Sequence, residues 1–152
     1  MASFVRTCLV DAQPPVIALG HSLGGIILMD VLSASDAPHV DLLVTVGSQS
    51  PMLFAYDALG RARGGGPAGL PYSADRPPFT PWLNIYNRND FVSFRAADIF
   101  RNELALTDLD IVDHELHLPE AFPAAHGAYW TDPWTFRFIA ERIAAIPAFA
   151  HG

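Results

Sequence analysis

The chain has 152 residues, the length of one domain, and 51% of them are hydrophobic, enough for a core. With 16 Asp and Glu against 9 Lys and Arg, the net charge of −7 argues against a nucleic-acid partner, which needs clustered basic residues. Cys8 is the only cysteine, so an internal disulfide and a Cys-based metal site are excluded.

Phe4, Val5, Cys8 and Leu9 recur at helical spacing and predict a short helix over Ala2–Asp11, ended by Pro14-Pro15. Val16–Leu19 is a continuous apolar run, as a buried parallel strand requires. A helical pattern follows from Gly24, carries Ile26, Ile27, Met29 and Leu32, and ends before Pro38. The stretch from Val16 to Leu32 is broken by His21, Ser22, three glycines and Asp30, so it does not read as a membrane span. Met1 is not followed by an apolar signal core, and a cytoplasmic location is expected if Met1 is the true start. Asp41–Val46 reads as a second strand and 47–51 as a turn-rich loop. The segment 51–81, with Gly64-Gly65-Gly66-Pro67 and Pro77-Pro78, reads as an irregular, lid-like loop. Its Met52, Leu53, Phe54, Tyr56, Leu70, Tyr72 and Phe79 either line an apolar pocket or pack the loop down.

Trp82–Tyr86 predicts a third strand, and a helix is expected over 92–100 with Val92, Ala96, Ile99 and Phe100 on one face. A fourth strand is expected at 109–112 and a loop at 119–127. Asp132-Pro133 opens the last helix, Asp as N-cap and Pro at the first position. Phe136, Ile139, Ile143 and Ile146 form its apolar stripe, and Pro147 ends it. Strands alternating with helices predict an α/β fold with about four parallel strands and flanking helices.

One stretch carries chemistry. The apolar run enters Gly20-His21-Ser22-Leu23-Gly24-Gly25, and a helix leaves it. Gly-x-Ser-x-Gly between a strand and a helix sets a serine on a sharp, strained turn and lifts its hydroxyl clear of the sheet. Gly20 and Gly24 are expected to be glycines because a side chain there would meet neighbouring backbone. Ser22 would lie at a helix N-terminus, where free N–H groups favour developing negative charge. The Leu23 N–H is the predicted oxyanion donor.

These residues closely resemble the nucleophile elbow of α/β-hydrolase lipases and esterases. The resemblance implies a triad in the chain order Ser, acid, His, with acid and histidine beyond strand C-termini. Asp90, in Trp82-Leu83-Asn84-Ile85-Tyr86-Asn87-Arg88-Asn89-Asp90-Phe91-Val92, resembles the family's acid loop; Asp98 is the competitor. His126, in Ala125-His126-Gly127-Ala128-Tyr129-Trp130, resembles the histidine loop, where an aromatic often follows three residues on; His114 and His117 are the alternatives. His21 is expected to be supportive, its side chain directed away from that of Ser22, with His39 and His151 on the surface. Asp113-His114-Glu115-x-His117 lacks the His-Glu-x-x-His spacing of zinc proteases and reads as a polar loop flanking the site, so no metal is expected. Residues 46–51 resemble the Gly-Ser-x-Pro stretch of lipase-like members, with one extra residue here.

In the family the elbow follows the fifth strand, and a loop after the third supplies a second oxyanion donor. Neither the earlier strands nor that loop is present before Ser22. The resemblance therefore implies a single, N-terminally incomplete α/β-hydrolase domain over 1–152, with Val16–Leu19 as the sheet edge and self-association through it. The activity expected is cofactor-free cleavage of a small-molecule or lipid ester by Ser22, His126 and Asp90. Thioesterase, amidase and acyltransferase chemistry use the same groups, and a non-catalytic remnant or interaction module is the alternative of another class.

Overall fold

The computed structural model describes residues 1–34, 36–56, 58, 81–104 and 109–149. Four strands form one parallel sheet in the order β1 (Ile17–His21), β2 (Leu42–Val46), β3 (Trp82–Tyr86) and β4 (Ile111–Glu115). The helices are α1 (Ala2–Asp11), α2 (Leu23–Leu32), α3 (Ser50–Ala55), α4 (Ala97–Leu104), α5 (Ala124–Ala128) and α6 (Pro133–Ala144). Among the described residues no helix is long and apolar enough to cross a membrane.

Strand side chains alternate between two faces, and each face has its own core. Ala18, Leu43, Trp82 and Ile111 meet Leu28, Met29 and Leu32 of α2 and Phe100 of α4. Leu42, Val44, Val46, Leu83 and Ile85 meet Leu116, Leu118, Tyr129 and Ile146, with Ile139 and Ile143 of α6 packed against them. The strands are apolar on both faces because helices cover both faces of β2 and β3, which are fully buried. β1 is the edge. Its Ala18 is buried, but Ile17 and Leu19, on the α6 side of the sheet, stay 37% and 46% exposed.

Several expected elements move. α3 occupies Ser50–Ala55, where an irregular loop is expected; Pro51 near its start suits a helical first turn. Its Phe54 stacks on Phe100 at 4.0 Å, and Leu53 joins the same core, so both pack rather than line a pocket. Residues 59–80, with Leu70, Tyr72 and Phe79, lie outside the described residues, as does His151. The helix expected over 92–100 begins at Ala97, because Asp113 holds its first turn from β4. β4 itself runs Ile111–Glu115, so 113–115 is strand rather than loop. The histidine loop contains α5, and His126 sits on it. On α6, Phe138 packs inward, while Phe136 is 53% exposed.

Candidate active site

Ser22 takes φ 53° and ψ −120°, a left-handed backbone that a non-glycine residue rarely adopts. Two contacts hold it there. The Ser22 N–H donates to Val46 O at 3.0 Å, and Ser48 Oγ donates to Ser22 O at 3.2 Å. The turn needs Gly20, where a Cβ would lie 2.6 Å from Gly24 C and Gly25 N. Gly24, expected to be as tightly placed, has nothing within 4 Å of its would-be Cβ; Gly25 is the crowded one, 2.3 Å from Ser48 Oγ. Ser22 stands at the N-cap of α2, yet its side chain makes no cap hydrogen bond. The strained turn aims the hydroxyl elsewhere, at His126 Nε2, 2.8 Å away. Among the described residues the Leu23 N–H has no backbone partner.

His126 Nδ1 lies 2.8 Å from Asp90 Oδ2. A carboxylate only accepts, so Nδ1 carries the proton and Nε2 presents its lone pair to the Ser22 hydroxyl. Asp90 is 1% exposed, whereas the His126 side chain is 23% exposed and reaches solvent. Ser22, Asp90 and His126 thus stand in one hydrogen-bonded line at the C-terminal side of the sheet. His114 and His117 are elsewhere: the His114 ring stacks on Phe138 at 4.0 Å, and exposed His117 faces Glu115. Asp98 pairs with Arg95 on the surface. His39 is an exposed partner of Asp41.

Buried polar groups that the residue pattern alone did not single out hold the acid loop. Trp82 Nε1 donates to Thr45 Oγ1 at 2.8 Å, and Thr45 Oγ1 donates to Asn84 Oδ1 at 2.8 Å. Asn84 Nδ2 donates to Asp113 Oδ1 at 2.7 Å and to Phe94 O at 2.9 Å. Asp113 accepts from the N–H groups of Ala96 and Ala97. This chain crosses three strands and pins both ends of the Asp90 loop to the sheet. A polar residue at an inward position of an otherwise apolar strand, such as Asn84, is the signal that would have found it.

His21 is closer to the histidine than expected. Its Nε2 lies 2.9 Å from His126 O, where it must donate, and the two rings are 4.9 Å apart. Burial holds the His21 pKa below its ordinary value. Tyr129, fully buried, donates its hydroxyl to Asp90 Oδ2 at 2.9 Å. Exposed Phe91 and Phe122 pack with ring centroids 4.1 Å apart, and the Phe122 ring lies 6.3 Å from that of His126; Leu23, next to Ser22 in the chain, is exposed as well. Comparison with protein-family models, with curated proteins and with solved structures finds no match, so no relative's activity bears on this site.

Proposed function

We propose that the chain is a serine hydrolase of the α/β-hydrolase, lipase/esterase type. The observation that carries this reading is the line from Ser22 Oγ through His126 to Asp90, 2.8 Å at each step, built on a serine with positive φ. In it, Ser22 Oγ attacks an ester carbonyl while His126 Nε2 takes the hydroxyl proton. The Leu23 N–H stabilises the oxyanion, a donor of the kind worth about 2.7–4 kcal/mol. His126 then gives its proton to the departing alkoxide. Water attacks the acyl-enzyme with His126 as general base, and Ser22 is released. Asp90 keeps the required tautomer and offsets the imidazolium charge. The exposed Leu23, Phe91 and Phe122 favour a substrate with an apolar part, a small-molecule or lipid ester.

A fluorophosphonate probe tests the reading without requiring turnover. Ser22 is expected to be the labelled residue on peptide mapping, with labelling abolished in Ser22→Ala and reduced in His126→Gln. Labelling that persists in Ser22→Ala removes the nucleophile. The second reading, a non-catalytic remnant or interaction module, is favoured by the open β1 edge with its exposed Ile17 and Leu19. The same edge supports self-association by strand pairing.

A further inference from the structure

Tyr129 lies outside the Ser22–His126–Asp90 line, yet the fold makes room for it. Gly47, at the end of β2, has φ +56°, and a Cβ there would lie 2.8 Å from Tyr129 Cε2 and 3.3 Å from Asp90 Oδ2. Any side chain at 47 would push the phenol off the carboxylate. From the other side, Thr135 Oγ1 donates to Tyr129 O at 2.6 Å and ties the tyrosine backbone to α6. The phenol therefore has a set position. Its hydroxyl and His126 Nδ1–H share a single acceptor, Asp90 Oδ2, at 2.9 and 2.8 Å. The second oxygen, Oδ1, accepts a longer bond from the Val92 N–H at 3.3 Å.

We propose that Tyr129 is a positioning residue that acts through Asp90: by sharing Oδ2 it limits how strongly the carboxylate holds a proton on His126, and so tunes the base that faces Ser22. A carboxylate oxygen that accepts a second donor has part of its charge neutralised. Its attraction for an imidazolium weakens accordingly. Removing the phenolic donor leaves more charge facing Nδ1, which favours protonated His126. The titratable groups gathered here are Asp90 beyond β3, His126 on α5, His21 on β1 and Tyr129 itself; neutral Asn87 and Ser93 lie against the phenol. Burial, together with donation to Asp90, pushes the Tyr129 hydroxyl well above its ordinary range, so it stays a donor throughout the working pH. Burial pushes His21 down, so it adds no competing charge near neutrality.

The consequence for turnover rests on the hydrolase reading; the coupling itself does not. The test is the titration of the His126 ring, followed by 15N-edited NMR in the wild-type chain, in Tyr129→Phe, and with 3-fluorotyrosine at 129. Tyr129→Phe keeps the ring and its packing. Its His126 midpoint is expected to lie above that of the wild-type chain. The fluorinated, more acidic phenol is a stronger donor and is expected to move the midpoint the other way. With p-nitrophenyl acetate, the acid limb of kcat/KM should follow the same shifts while KM stays constant. A purely packing role for Tyr129 moves none of these. Midpoints that coincide in all three proteins overturn the proposal. A wild-type chain that neither labels nor turns over sinks the hydrolase reading, and the titrations still decide the role of Tyr129.

Discussion

Adjacent glycines at 24 and 25 have opposite surroundings, and side chains there should have opposite effects. Gly24→Ala meets open space on a helix and should leave stability unchanged or raise it by up to about 1 kcal/mol. Gly25→Ala would put a methyl 2.3 Å from Ser48 Oγ, the group that holds Ser22 O, and 2.7 Å from Ser48 Cβ. It should cost about 1–3 kcal/mol and slow the labelling of Ser22. Urea unfolding of both variants checks the pair; equal midpoints would contradict the crowding at Gly25. Ser22 and the need for a glycine at 20 were legible in the chain, because the elbow is local and its sterics act within five residues. The pressure on Gly25 was not, because it comes from Ser48, which arrives from another strand.

A second residue-scale effect concerns acid. Burial lowers the His21 and His114 pKa values in the fold from an ordinary 6.5. The unfolded chain therefore binds protons that the folded chain refuses. Stability should fall as pH drops below about 6.5, and level off only below the folded-state values. Thermal melts between about pH 7.5 and 5.5 should show this loss. His114→Phe, which keeps a flat ring against Phe138, should reduce the loss. A melting temperature that rises on acidification would contradict the sign.

At the scale of elements, the linkage from Asn84 to Asp113 places the acid loop. Asp113→Ala strips the first turn of α4 of its acceptor and leaves buried Asn84 Nδ2 with Phe94 O alone. The cost should be about 1–3 kcal/mol by chemical denaturation. Labelling of Ser22 should weaken as well, since Asp90 loses its anchorage; a wild-type labelling rate would separate Asp113 from the site. The same linkage explains why α4 starts at Ala97. Helical spacing over 92–100 was visible, but the start is set by a carboxylate from β4. Likewise α5 is a single turn of five residues carrying Gly127, too short for periodicity to mark. By contrast Ala2–Asp11 and Trp82–Tyr86 lie where apolar spacing and bounding prolines put them. The Asp132 cap also stands, accepting from the Trp134 N–H at 2.8 Å.

For the whole molecule, β1 ends the sheet on one side, and among the described residues no strand pairs with its outer edge. A strand without a charged side chain, with Ile17 and Leu19 half-open at an edge that no other described strand pairs, is a template for another strand. The proposed self-association should appear as concentration-dependent dimers or larger species in sedimentation velocity. Leu19→Lys, which places a charge on that edge, should return the chain toward monomer. A wild-type chain that stays monomeric at high concentration removes the proposal.

The chain by itself determined the parallel α/β layout, because apolar runs buried on both faces and the helices between them are local patterns. The elbow pattern singled out Ser22, and resemblance of two further short segments to the acid and histidine loops of that family pointed to Asp90 and His126, with Asp98, His114 and His117 left as alternatives. Only the tertiary structure decided which histidine reaches Ser22, since three candidates follow β3 and the choice depends on where α5 docks across the sheet. It alone brought Gly47, Tyr129 and Asp90 together from three distant segments. Such contacts are set by the packing of whole elements, and no periodicity within any one of them encodes a distance between them.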